Sequence, residues 1–153
     1  MKHILIFFGL LSITSTLDSE IEIKLVQTRY LLEEDFIRIQ EYLKGKEFSG
    51  RRLAVRTQSD RRTGLYFVLT LSRSAAALPN DTMVRIEVLA KGELMAKSFE
   101  FKIPLKRPST RDLFLGLTGS HWPNSNTVPL AWNISLIGPS EEIIDQQKSF
   151  LWE

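Results

Sequence analysis

From Val128 to Leu136 every second residue is apolar: Val128, Leu130, Trp132, Ile134 and Leu136. An extended chain sends successive side chains to opposite faces, whereas a helix repeats every 3.6 residues. A run of this kind can bury one face only as a β-strand. The same period of two recurs along most of the chain. Ile21, Ile23 and Leu25 alternate with Glu22 and Lys24, and residues 52–56 (Arg-Leu-Ala-Val-Arg) alternate as well. Leu65, Phe67, Leu69 and Leu71 face one way while Tyr66, Val68 and Thr70 face the other, so both faces favour burial and the strand is expected at a sheet centre. Val84, Ile86 and Val88, then Phe99, Phe101 and Ile103, then Leu113, Leu115 and Leu117 complete the series.

The segments 84–88 and 99–103, joined through Ala90-Lys91-Gly92-Glu93, form the clearest hairpin in the sequence. A second hairpin is expected between 52–56 and 65–71, around the turn-like stretch Ser59-Asp60-Arg61-Arg62-Thr63-Gly64. A last strand is expected at 149–152, Ser-Phe-Leu-Trp. One segment departs from the period of two. Leu32, Phe36, Ile39 and Leu43 recur at intervals of four, three and four, with Glu33, Glu34 and Asp35 in front and Gly45 behind, which predicts a short helix near 33–44.

About eight short strands with Gly/Pro punctuation and no βαβ rhythm predict an all-β domain with one short helix. The expected architecture is an antiparallel β-sandwich. It resembles immunoglobulin and fibronectin sandwiches in strand rhythm alone; a small β-barrel is the alternative. The chain has 153 residues, of which 43% are hydrophobic and 25% charged, the composition of an ordinary globular domain. A domain of that size buries roughly two-thirds of its unfolded surface and folds without a metal or disulfide staple. No internal repeat or linker divides it.

Residues 1–19 read as a signal peptide. Met1-Lys2-His3 is a positive start, 4–11 is an uncharged apolar run, and Ser12 to Thr16 are small and polar. The apolar run is too short to span a bilayer, which takes about 20 residues. The expectation is therefore an exported chain, periplasmic or extracellular, with residues 20–153 as a single domain. The sequence contains no cysteine. That excludes a disulfide framework and thiolate chemistry, and in an exported domain it favours a bacterial source. No later segment is apolar enough to span a membrane.

Few residues carry chemistry. His121 is the one histidine past the leader, in Gly-Ser-His-Trp-Pro. Its neighbour Ser120 points the opposite way in an extended chain, so the two are badly placed to share a proton. The run Glu33-Glu34-Asp35 suits a solvated helix start, and no calcium-loop or phosphate-loop spacing occurs. No cofactor and no metal are expected. Arg51, Arg52, Arg56, Arg61, Arg62 and Arg73 form the most distinctive charge feature, either meeting an anionic partner or protecting an edge strand from pairing. The formal charge is only +2, and no aromatic platform accompanies these arginines, so nucleic acid is not an expected partner. Trp132 lies on an inward register and belongs to the core, while Trp122, between Gly119 and Pro123, either anchors a partner or plugs the end of the sandwich.

The functional expectation is a non-catalytic binding, accessory or assembly module for a protein or glycan partner. Its candidate contact residues are Arg61, Arg62, His121 and Trp122. One rival is a small carboxylate-dependent glycan hydrolase or lyase, which needs two facing acids such as Glu100 or Asp112 with another. The other is a purely structural envelope protein.

Overall fold

The computed structural model describes residues 20–37, 45 and 51–153. The chain folds into two four-stranded sheets that face each other as a β-sandwich, not closed into a barrel. The first sheet holds β1 (Ile23–Leu31), β2 (Leu53–Arg56), β3 (Gly64–Leu71) and β6 (Asp112–Thr118), in the order β1-β3-β6-β2. The second holds β4 (Met83–Ala90), β5 (Lys97–Lys102), β7 (Pro129–Ile137) and β8 (Ile143–Lys148), in the order β5-β4-β7-β8.

The alternating residues supply the core between the sheets. Leu65, Phe67, Leu69 and Leu71 of β3 meet Leu113, Leu115 and Leu117 of β6 on one side. Val84, Ile86 and Val88 of β4, Phe101 of β5, and Ile134 and Leu136 of β7 face them from the other. Trp132 packs against this cluster, its ring 6.2 Å from that of Phe67 in an edge-on arrangement. The inward alternation expected from Val128 stops at Trp132: the pairing of β7 with β4 slips between Leu89 and Ala90 and sets Pro129 opposite Ala90, so Leu130 and, just before the strand, Val128 leave that register and are exposed at the end of the sandwich.

The hairpin of β4 and β5 forms as expected, with Val84 opposite Phe101 and Ile86 opposite Phe99. The other expected hairpin does not form. β2 and β3 are separated by β6: β3 pairs with β6 antiparallel, and β2 pairs with β6 in parallel, Leu53 opposite Leu113 and Arg56 opposite Gly116. Alternation specifies which face a residue takes and leaves the neighbouring strand open. The connection 57–63 is long enough to step across the roughly 10 Å of two strand spacings. One strand pair in the sandwich is therefore parallel.

β1 and β2 lie at opposite edges of the first sheet and run the same way. Both described ends of their connection rest on that sheet's outer face. Phe36 stacks on Tyr66 of β3 with ring centroids 4.9 Å apart, and the Arg52 guanidinium lies 5.4 Å above the ring of Phe114 on β6. Of the helix expected near 33–44, the structure shows a three-residue 3-10 turn at Glu33–Asp35, where Asp35 accepts a hydrogen bond from the Leu32 amide at 2.7 Å. Residues 38–44 lie outside the described residues. The strand expected at 149–152 is instead a turn, closed by the Trp152 amide on the Ser149 carbonyl, and the last strand is β8. The signal peptide expected at 1–19 also lies outside the described residues. No helix among those described is long and apolar enough to cross a membrane.

Candidate binding site

Strand directions bring four segments to one end of the sandwich: the close of β1, the β2–β3 loop, the β6–β7 loop and the β4–β5 turn. The first three are stitched together around Thr118 and Gly119. The Thr118 hydroxyl donates to the Gln58 carbonyl at 3.0 Å and accepts from the Gln58 amide at 3.1 Å, while the Thr118 amide donates to Thr57 Oγ1 at 3.0 Å. Gln58 then reaches over Gly119 and donates through Nε2 to Ser120 Oγ at 2.8 Å. A side chain at position 119 would collide with the Gln58 amide, and the backbone there has φ +59, so both space and conformation call for glycine. Thr63 ties in the third segment: its hydroxyl accepts from the Glu33 amide at 3.0 Å, and its carbonyl from the Gly119 amide at 3.2 Å.

These bonds enclose a cleft of about 430 Å³ lined by Arg61, Arg62, Trp122, Tyr30, Gln58 and Ser120, with Glu33 and Asp60 also on its wall. Arg61 Nε lies 3.7 Å from Asp60 Oδ2 in an exposed ion pair. Two cations and two carboxylates therefore balance around the opening, leaving little net field to draw in a polyanion. What the walls offer instead is an array of amide, hydroxyl and guanidinium groups beside an aromatic ring.

Arg61, Arg62 and Trp122 thus converge on one cleft, but not in the manner expected of an exposed anchor. Trp122 is only 4% exposed; its indole plugs the end of the sandwich against the core, and Nε1 donates to the Thr127 carbonyl at 3.2 Å. His121, exposed, turns to the other side of Ser120, where its ring lies 5.3 Å from that of Phe99 on β5 and lines a separate, shallower hollow.

The remaining arginines are dispersed. Arg56 donates through Nε to the Tyr66 hydroxyl at 2.7 Å and lies 4.8 Å over the Phe36 ring. Tyr66 in turn donates to the Arg62 carbonyl at 2.6 Å, which fixes the backbone of the β2–β3 loop from below. Arg73 lines a hollow at the opposite end of the molecule. Glu100 and Asp112 are not brought together. Glu100 pairs with Arg85 on the second sheet at 2.8 Å, and Asp112 accepts from Thr70 on the first at 2.7 Å. Among the described residues, no group of three or more histidine, cysteine or acidic side chains is placed to hold a metal ion.

Tyr30, Gln58 and Thr63 are site residues that the sequence patterns did not single out, and Ser120 stood out only as a poorly placed proton partner for His121. They are polar or single residues on three different segments. The one local signal was the Thr-Gly-Ser turn after β6. No family model, curated protein or solved structure matches this chain.

Proposed function

We propose that this protein is a non-catalytic, exported binding module, and that its contact surface is the cleft formed by the β2–β3 and β6–β7 loops. The observation that carries the reading is the convergence of Arg61, Arg62 and Trp122 on one cavity of about 430 Å³, within the range of small-ligand sites. Its balanced charge favours recognition by hydrogen bonds over attraction by net field. Gln58, Ser120 and the two guanidinium groups suit a hydroxyl-rich ligand, and Tyr30 adds an aromatic side chain to the wall. A glycan fits that chemistry better than a polyanion; an extended protein segment is the second class of partner. The leader 1–19 supports export, which would expose the cleft to cell-wall and surface saccharides.

The test is a titration of isotope-labelled protein with chitotetraose and, separately, maltotetraose, followed by amide chemical shifts. Binding at the cleft perturbs Gln58, Arg61, Thr63 and Ser120, and Arg62→Ala weakens it about tenfold, the scale of losing one charge-assisted hydrogen bond. Shifts confined to other parts of the surface would refute the cleft. Release of new reducing ends during the titration would instead favour the hydrolase reading, for which Glu33 and Asp60 are the acids on the cleft wall.

A further inference from the structure

The same end of the molecule carries a second feature, on the second sheet and apart from the cleft. Six large apolar side chains stand in solvent there: Leu94, Met95, Val128, Leu130, Phe150 and Leu151. Leu94 is 100% exposed, Phe150 98% and Met95 79%. Their placement follows from the strand pairing. Leu94 and Met95 form the tip of the β4–β5 turn, where Ala90 lies beside Pro129 and the Lys91 amide donates to the Val128 carbonyl at 2.9 Å. Phe150 and Leu151 form the turn just past β8, held to β7 by the Ser149 amide on the Trp132 carbonyl at 2.9 Å and by the Trp132 amide on Ser149 Oγ at 2.8 Å. The two tips crown opposite edges of the four-stranded sheet, roughly 14 Å apart by strand spacing, with Val128 and Leu130 between them.

Single exposed leucines are ordinary, but large apolar side chains crowded at one end of one sheet mark an interaction surface. The kind of partner follows from their form. The most exposed of them project from turns as knobs, and none lines any of the three hollows described above. A folded protein partner would have to supply matching sockets, whereas the acyl–headgroup zone of a bilayer accepts projecting apolar groups of any shape. The charges agree. Lys91 and Lys97 flank the Leu94-Met95 tip and Lys148 precedes the Phe150-Leu151 tip, all three exposed. Glu93, the acid nearest the first tip, is already neutralised by Lys97 at 2.8 Å.

We infer that this end of the second sheet docks on an anionic membrane surface, with Leu94, Met95, Phe150 and Leu151 entering the interfacial zone. Lys91 and Lys148 remain among the lipid phosphates, their stems running along the apolar tips, while Lys97 stays paired with Glu93. Docking in this orientation is peripheral and spans nothing.

The absence of cysteine makes a site-by-site test direct. Met95→Cys, Phe150→Cys and, at the opposite end, the exposed Leu105→Cys are each introduced singly into the full chain and labelled with a polarity-sensitive fluorophore. Each is then mixed with vesicles of phosphatidylcholine and phosphatidylglycerol. The labels at 95 and 150 brighten several-fold and shift to the blue, while the label at 105 does not change. Lys91→Glu combined with Lys148→Glu raises the lipid concentration needed for half-maximal signal at least about tenfold, each lysine near an anionic surface contributing several-fold. Adhesion through the apolar leader alone would leave the labels at 95 and 150 in water and overturn the inference. An equal response at 105 would overturn it too. So would a change at 95 that follows protein concentration without vesicles, since that would report a second copy of the chain as the occupant. Arg62→Ala, which tests the cleft, leaves the vesicle response unchanged, so either conclusion can fail alone.

Discussion

Replacing Trp122 by alanine separates a structural plug from an exposed anchor. A buried tryptophan removes about 150–250 Å² from water, which at ~25 cal/mol per Å² is about 4–6 kcal/mol as an upper bound on the transfer term. Core Trp→Ala changes span about 3–5 kcal/mol once partial collapse of the cavity is included. Trp122 is 4% exposed and touches the core cluster, and Trp122→Ala also leaves the Thr127 carbonyl without its donor. The expected loss is about 4 kcal/mol, a large share of the ~5–15 kcal/mol that holds an ordinary domain together. Trp122→Phe keeps most of the volume and loses the hydrogen bond, so about 1–2 kcal/mol is expected. Urea denaturation followed by far-ultraviolet circular dichroism measures both, with midpoints falling in the order wild type, Phe, Ala at an unchanged slope. A Trp122→Ala variant within about 1 kcal/mol of wild type would show that the indole is no plug, because a buried side chain of that size cannot be removed so cheaply.

Other outcomes follow from the same framework. Gly119→Ala forces a side chain into the Gln58 amide at a φ of +59, and is expected to cost more than about 1 kcal/mol in the urea midpoint while disordering Gln58 and Ser120, visible as lost amide dispersion at the cleft. Tyr66→Phe deletes the hydroxyl that accepts from Arg56 and donates to the Arg62 carbonyl, so about 1–3 kcal/mol is expected, with faster amide exchange in the β2–β3 loop. Gly116→Ala puts a carbon 2.6 Å from the Tyr66 ring; a displaced ring and a loss of about 1–3 kcal/mol are expected by urea denaturation. The Arg85–Glu100 pair is about half-exposed, and a double-mutant cycle should find a coupling below about 1 kcal/mol that shrinks in salt.

The sequence patterns located faces far better than neighbours. Leu65, Phe67, Leu69 and Leu71 were assigned to one buried side by their spacing, and all are buried in the core, as are Leu113, Leu115 and Leu117. The same spacing carries no information on which strand lies next door, and β2 was matched to β3, its neighbour in the chain, when its partner is β6. β8 escaped notice for a different reason. It is an edge strand whose Gln146, Gln147 and Lys148 face water, so no apolar rhythm marks it. Trp122 was ambiguous because burial of a loop residue depends on the shape of the sandwich end, which no local pattern encodes. Arg61 and Arg62 were visible as charge at a turn. Their union with Tyr30, Gln58 and Ser120 depends on long-range hydrogen bonds between loops.

The pairing pattern also orders the events of folding. In the second sheet, β4 meets β5 and β7 meets β8 across short connections, so two of its three contacts close small loops. Every contact in the first sheet is remote, and β2 joins β6 only after the chain between Arg56 and Asp112 has been laid down. Closing longer loops costs more chain entropy before any contact compensates, and topologies rich in remote contacts fold slowly. The second sheet is thus the natural nucleus, and β2, tethered to β3 by the 57–63 connection, docks only after β3 and β6 have paired. Until it arrives, the edge of β6 stands open as a template, the interval in which a nascent chain is most vulnerable to pairing with a stranger.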